Sequence, residues 1–204
     1  MIIKVCGMRD ADNIRAVEEL GVDWMGFIFY RSSSRFVTEV PNYMPHKAKR
    51  VGVFVNDELE NILLTATNFD LDYIQLHGNE TPELCETLKT RGLSVIKVFS
   101  IRDTKDFQTE KFKTYESFCD YFLFDTKTDL FGGSGKKFNW DILYDYQEDT
   151  PFLLSGGISK DDVDEIKSFK HPKCVGIDLN SRFEIAPAYK NIKLLQNFIK
   201  EIRQ

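Results

Sequence analysis

Short apolar runs alternate with longer amphipathic stretches from one end of the chain to the other. "IIKVC" is followed by Asp12–Leu20, where Ile14, Val17 and Leu20 recur at helical spacing. "WMGFIF" precedes a short Pro-flanked segment near Pro41–Lys49, and "VGVFV" precedes "NDELENILLTATN", with Asn56 or Asp57 as its N-cap. "LDYIQL" precedes "TPELCETLKTRG", which has Thr81 as cap, Pro82 at the first helical position and Gly92 as stop. "SVIKVF" precedes Asp103–Phe118, and "YFLFDT" precedes a glycine-rich loop and "FNWDILYDY". "PFLLS" precedes "SKDDVDEIKSF", and "CVGIDL" precedes the closing "AYKNIKLLQNFIKEIRQ". Strand runs this apolar, separated by helices, are those of parallel strands covered on their outer face. Eight strand-then-helix units predict a single-domain (β/α)8 (TIM) barrel over residues 1–204; an open doubly wound sheet is the alternative.

At 204 residues the chain is short for a fold that typically takes about 250, so its loops must be lean. Lean loops favour a small molecule in the barrel mouth over a macromolecular docking platform. The net charge of -5 argues against non-specific binding to nucleic acid or to acidic membrane surfaces. The four cysteines (Cys6, Cys85, Cys119, Cys174) form no CxxC pair and no zinc-ligand spacing with histidine, which fits a reducing compartment. With no secretory leader pattern and no apolar run of bilayer length, the expected location is the cytoplasm.

In such barrels the chemistry lies at the carboxyl ends of the strands. Polar residues collect there and not at the other end. Strand one ends in Cys6, and the loop after strand two carries Arg31 and Arg35. Strand four ends in His77, strand six in Asp125, strand seven in Ser155 with Gly156 and Gly157, and strand eight in Asp178 with Asn180 and Ser181. Three small-residue loops, "GGSGKKF", "LSGGISK" and "DLNSRFE", share that rim. The last two follow strands seven and eight, where this fold usually binds phosphate. "GGSGKK" lacks the spacing of a nucleotide P-loop and follows strand six, so that reading is rejected. Each feature alone has a plainer explanation. A cysteine in an apolar strand is usually core, a lone histidine or arginine usually structural or solvated, a glycine loop usually a turn. Their convergence on one rim is what points to a site. Cys85, Cys119 and Cys174 keep the packing reading, and His46 and His171 read as loop residues.

Strand parity puts Lys4 on the face of Cys6, and barrel closure puts Asp178 beside it. A lysine inside a barrel needs a partner, so a Lys4–Asp178 pair is expected, its field favouring a Cys6 thiolate.

Taken together, "KVCGMRD", "GFIFYRSSSRFV", "VGVFVN", "IQLHGNE", "FDTK", "GGSGKKFNW", "LSGGI" and "GIDLNSRFE" resemble the phosphoribosylanthranilate isomerase family, in family order over nearly the whole chain. The resemblance implies a (β/α)8 barrel acting in tryptophan biosynthesis on a small-molecule phosphosugar, as a monomer or homodimer, without metal, organic cofactor, nucleic acid or membrane partner. The implied reaction is the Amadori rearrangement of N-(5′-phosphoribosyl)anthranilate to the carboxyphenylamino-deoxyribulose phosphate. The resemblance makes Cys6 the general base and Asp125 the general acid. It places Arg35 at the anthranilate carboxylate, adds His77, Gly133, Ser134, Gly135 and Asp178 to the substrate contacts, and puts Ser155, Gly156, Gly157, Asn180 and Ser181 at the phosphate. Asn180 stands where serine is commoner, Arg182 where glycine is usual and Lys137 where threonine is common, and "APAYKN" varies a PGxKD-like stretch. Arg182 then either reinforces anion binding or points to solvent.

Two rivals stand beside this reading. Another phosphosugar isomerase on the same barrel is one, but the related Amadori isomerase of histidine synthesis uses paired aspartates, against Cys6. A non-catalytic anion-binding barrel is the other, and it would need neither Cys6 nor Asp125. The chemistry asks for an aspartic acid kept partly protonated, for which Phe122, Leu123 and Phe124 are the candidate apolar neighbours. It also asks for a thiol only modestly below its usual pKa of about 8.5.

Overall fold

The computed structural model describes residues 1–126 and 138–204. Eight strands pair in parallel and close on themselves in chain order. They are β1 (Ile2–Val5), β2 (Trp24–Ile28), β3 (Lys49–Phe54), β4 (Tyr73–Leu76), β5 (Ser94–Ile101), β6 (Tyr121–Thr126), β7 (Phe152–Leu154) and β8 (Cys174–Leu179). The closing seam joins β1 to β8 with Lys4 opposite Asp178. The predicted barrel is therefore the observed one, and the open sheet is excluded.

The helices are α1 (Ala11–Glu19), α2 (Leu59–Phe69), α3 (Pro82–Thr90), α4 (Thr109–Glu116), α5 (Val163–Ser168) and α6 (Ile192–Arg203). Asp10 caps α1 by accepting from the Asn13 N–H, and Asn191 caps α6 by accepting from Leu194. Thr81 and Pro82 open α3 as their order predicts, and Gly92 follows its end. Asn56 is not the cap of α2. It adopts a left-handed backbone (φ 49°), its Oδ1 accepts from the Asn79 N–H, and Glu58 takes the cap position. Helix α4 starts later than its pattern suggests, because Asp103 and Asp106 side chains capture the N–H groups of Lys105 and Arg102 in a turn first. A 3-10 turn at Trp140–Asp145 stands in place of the helix after β6, and a short antiparallel pair, β9 (Glu184–Ala186) with β10 (Tyr189–Lys190), follows β8. Among the described residues no helix is long and apolar enough to cross a membrane.

The unit after β2 has no helix at all; residues 29–48 run as turns and extended chain. Pro41 and Pro45 each remove a helix donor there. What holds this segment is Glu18 of α1, whose carboxylate accepts from the N–H of His46, Lys47 and Ala48 and from the Tyr43 hydroxyl. Burial pushes this carboxyl up, but Tyr43 and those three N–H groups outweigh it, so its pKa lies below the ordinary value. A depressed carboxylate contributes stability that is whole above the ordinary glutamate range, near pH 4.3, and is lost as pH falls through its own lower value. Between about pH 5 and pH 3 the melting temperature should thus drop more steeply in the wild type than in Glu18→Gln. Equal slopes in a thermal-melt series would contradict this.

The barrel is filled from its amino-terminal end. Trp24 stacks on Tyr73 at 4.6 Å and meets the edge of Tyr121 at 5.0 Å. Val51, Ile96, Val98, Leu123 and Leu153 complete that plug. A larger layer lies between strands and helices, dense in aromatics around Phe99, Phe112, Phe122, Phe124 and Phe152. With the floor closed, the barrel interior, as far as the described residues form it, opens at the carboxyl ends of the strands.

Candidate active site

That open end holds a cavity of ≈ 810 Å³, counting the space that merges with solvent. Cys6 follows β1 directly and faces it, as do Asp125 of β6 and Asp178 of β8. Gln75 and His77 line it from β4 and its end, and Tyr30, Ser33 and Arg35 from the loop after β2. Ser155, Gly156 and Gly157 follow β7, while Asn180 and Ser181 follow β8.

Cys6 is 3% exposed and sits between cations. Lys4, fully buried, donates to Asp178 Oδ1 at 2.8 Å, and its charge acts on the thiol. Burial pulls the Lys4 ammonium down, but Asp178 and Cys6 raise it past the ordinary lysine value, so it is a fixed positive charge. The expected lowering of the thiol is not found. Burial pushes Cys6 up, and although Lys4 and Lys190 pull it down, the net direction is upward. The position also depends on two glycines. Gly7 has φ +75°, and a Cβ there would lie 2.7 Å from both Arg35 Cδ and Asn180 Oδ1. On β2, a Cβ at Gly26 would lie 2.6 Å from Cys6 Sγ, so the missing side chain is the room the thiol occupies.

Asp125 is held differently from expectation. Phe122 and Phe124 belong to the layer outside the barrel and Leu123 to the plug below. They do not surround the carboxyl. Instead its Oδ1 accepts from the Thr126 N–H at 2.8 Å, and Oδ2 lies 3.2 Å from His77 Nε2. Gln75 Nε2 stands 3.5 Å from His77 Nδ1; with the amide donating there, the ring carries its proton on Nε2, toward Asp125.

Arg35 is clamped by Glu184, which accepts from Nε at 2.9 Å and from Nη2 at 2.6 Å. Glu184 in turn accepts from Lys190 Nζ at 2.6 Å, and the same ammonium donates to Asn180 Oδ1 at 2.7 Å. Lys190 is fully buried, its main chain pinned by Asn13 of α1 through both N–H and carbonyl. Burial raises the Glu184 carboxyl, but Arg35 and Lys190 bring it below the ordinary range. Burial draws Lys190 down more than Glu184 restores it.

The model of the family described as N-(5′-phosphoribosyl)anthranilate (PRA) isomerase matches residues 3–201. The chain belongs to the phosphoribosylanthranilate isomerase family. It is 55% identical over 204 residues to the N-(5′-phosphoribosyl)anthranilate isomerase of Phocaeicola vulgatus, covering 100% of this chain and 98% of that relative. Its fold superposes on the Thermotoga maritima phosphoribosyl anthranilate isomerase with TM-score 0.85 at 33% identity, covering 100% and 99% of the two chains. A further phosphoribosyl anthranilate isomerase structure, bound to reduced 1-(o-carboxyphenylamino)-1-deoxyribulose 5-phosphate, matches at TM-score 0.81 and 29% identity, over 100% and 99% of the chains.

The structure brings ten of the thirteen sequence-derived candidates to one cavity: Cys6, Arg35, His77, Asp125, Ser155, Gly156, Gly157, Asp178, Asn180 and Ser181. Gly133, Ser134 and Gly135, like Lys137, lie outside the described residues. Arg182 is exposed and stands outside the cavity lining. Glu184, Lys190, Gln75 and Gly26 escaped the sequence reading. Only Asn13, a polar residue on the apolar face of α1, offered a signal of the buried polar network behind Lys190.

Proposed function

We propose that Cys6 and Asp125 carry out, as general base and general acid, the isomerisation of N-(5′-phosphoribosyl)anthranilate to 1-(2-carboxyphenylamino)-1-deoxyribulose 5-phosphate, the family's step in tryptophan biosynthesis. The observation that carries this reading is the presence of thiol and carboxyl in one cavity, on β1 and β6, separated along one side of the barrel by β7 and β8. A molecule held between them meets a base on one face and an acid on the other.

Asp125 gives its proton to the ribose ring oxygen as the bond from that oxygen to C1 breaks, and the nitrogen lone pair forms an iminium. Cys6 then removes the C2 hydrogen, leaving an enolamine. Moving the enol proton from oxygen to C1 gives the ketone. By then one proton has passed from Asp125 to Cys6, and the cycle resets when Asp125 regains one and Cys6 loses one. Burial favours the protonated thiol, so Cys6 must first lose its proton to solvent, drawn out by the positive charge of Lys4 and Lys190, before the thiolate takes the C2 hydrogen of the iminium.

Arg35 addresses the anthranilate carboxylate. Gly156 and Gly157, with φ +88° and +75°, Ser155, Asn180 and Ser181 form the phosphate end. Anchoring both ends fixes the sugar between acid and base, which supplies much of the rate. His77 and Asp178 act through their neighbours, His77 against Asp125 and Asp178 against Lys4. The enzyme works in the cytoplasm on a small phosphosugar, as a monomer or homodimer. Incubation with freshly generated substrate tests the reading: its fluorescence should decay with the purified chain present. Phosphate binding without such decay would favour a non-catalytic anion-binding barrel.

A further inference from the structure

The group formed by buried Lys190 with the half-buried Arg35, Glu184 and Asn180 is larger than an arginine and its counter-ion require. Glu184 is a carboxylate at the rim of a site meant for an anion, where it should repel the substrate. Two features of its geometry resolve this. First, a guanidinium has two edges that can each take a carboxylate, one through Nε and an Nη, the other through both Nη atoms. Glu184 occupies Nε and Nη2, the side-on edge. That leaves the end-on edge, Nη1 with Nη2, for a second carboxylate, and fixes its direction. Second, an ammonium only donates, so the Asn180 atom it holds must be the carbonyl oxygen. The amide is thereby turned so that its Nδ2 donor points away from Lys190, and Asn180 lines the cavity. With two cations on one anion, the group keeps a net positive charge behind the rim, and Lys190 offsets the repulsion that Glu184 alone would exert.

We propose that Glu184 and Lys190 are positioning residues of the isomerase site: Glu184 holds the side-on edge of Arg35 so that its end-on edge meets the substrate's aromatic carboxylate, and Lys190 holds Asn180 Oδ1 so that the Nδ2 donor meets the phosphate. This rests on the isomerase reading of the cavity. Both residues come from the β9–β10 hairpin region, so the hairpin is the piece that aligns the two ends of the substrate site.

The test uses the full chain, the generated substrate, and two separate probes as inhibitors, anthranilate and inorganic phosphate. Glu184→Gln is isosteric and keeps an acceptor for Lys190. It should raise KM about tenfold and weaken anthranilate inhibition by a similar factor, while kcat and phosphate inhibition stay within about twofold. Lys190→Met should weaken phosphate inhibition about tenfold. A drop in melting temperature with KM and both inhibition constants at wild-type values would overturn the proposal, since it would make the group structural only. If Lys190→Met does not fold, Asn180→Ala at the partly exposed rim decides the amide half: unchanged phosphate inhibition overturns it. Absence of turnover in the wild type would remove the isomerase reading itself. Wild-type turnover with unchanged KM in Glu184→Gln would remove this inference alone.

Discussion

Asp125→Asn is expected to lower kcat by about 10²–10⁴-fold, the usual contribution of a positioned proton donor, while KM for the substrate changes little. The substitution preserves shape: an amide oxygen still accepts from the Thr126 N–H, and the His77 side is kept within contact. What it removes is the transferable proton. Ring opening without it must expel an alkoxide, so the loss falls on the chemical step and not on binding. A product-like anion should bind Asp125→Asn nearly as well as the wild type in a calorimetric titration. Turnover near the wild-type rate would refute the acid role.

Lys4→Met should act on both stability and the thiol. Lys4 is fully buried and Asp178 nearly so, joined at 2.8 Å. Removing one partner of such a pair strands the other charge, with a long contact from Ser155 Oγ at 3.4 Å as the one hydrogen bond left to it among the described residues. The expected cost is about 3–5 kcal/mol, far above a surface ion pair. For a chain of this size that is a fall of roughly 6–20 °C in melting temperature. The double variant Lys4→Met with Asp178→Asn should recover much of it, because no isolated charge remains. The same change takes away a cation that lowers the Cys6 thiol against the upward push of burial, so the thiol should titrate higher still. Absorbance of the thiolate as pH is raised measures this. A Cys6 titration unmoved in Lys4→Met would show that Lys4 only satisfies Asp178.

The strands and their closure were legible because buried parallel strands leave an unbroken apolar run, and eight such runs occur. Lys4 and Asp178 were legible as a pair because strand parity and barrel closure are both geometric. The outer layer was less so. Asn56 reads as a cap from local propensity, but tertiary demand from the Asn79 N–H overrode it. The missing helix between β2 and β3 depends on Glu18, which looks like one more surface charge of an amphipathic helix. At the site, residue types at strand ends pointed to Cys6 and Asp125, which the fold brings to one cavity, but not to the balance of forces on them. Nothing in "KVCGMRD" says that burial outweighs two lysines, or in "FLFD" that the neighbouring phenylalanines face outward. Glu184 and Lys190 were hidden for a similar reason. Their meaning lies in contacts to Arg35 and Asn180 that a short hairpin creates, and no spacing in "RFEIAPAYK" encodes them.

In the proposed mechanism the Cys6 thiolate takes the hydrogen from ribose C2. The measurement that meets it most directly is single-turnover kinetics of Cys6→Ala on generated substrate, beside its binding of a product-like anion. Conversion should be slowed by about 10²–10⁴-fold with binding nearly intact. Conversion at the wild-type rate would contradict it.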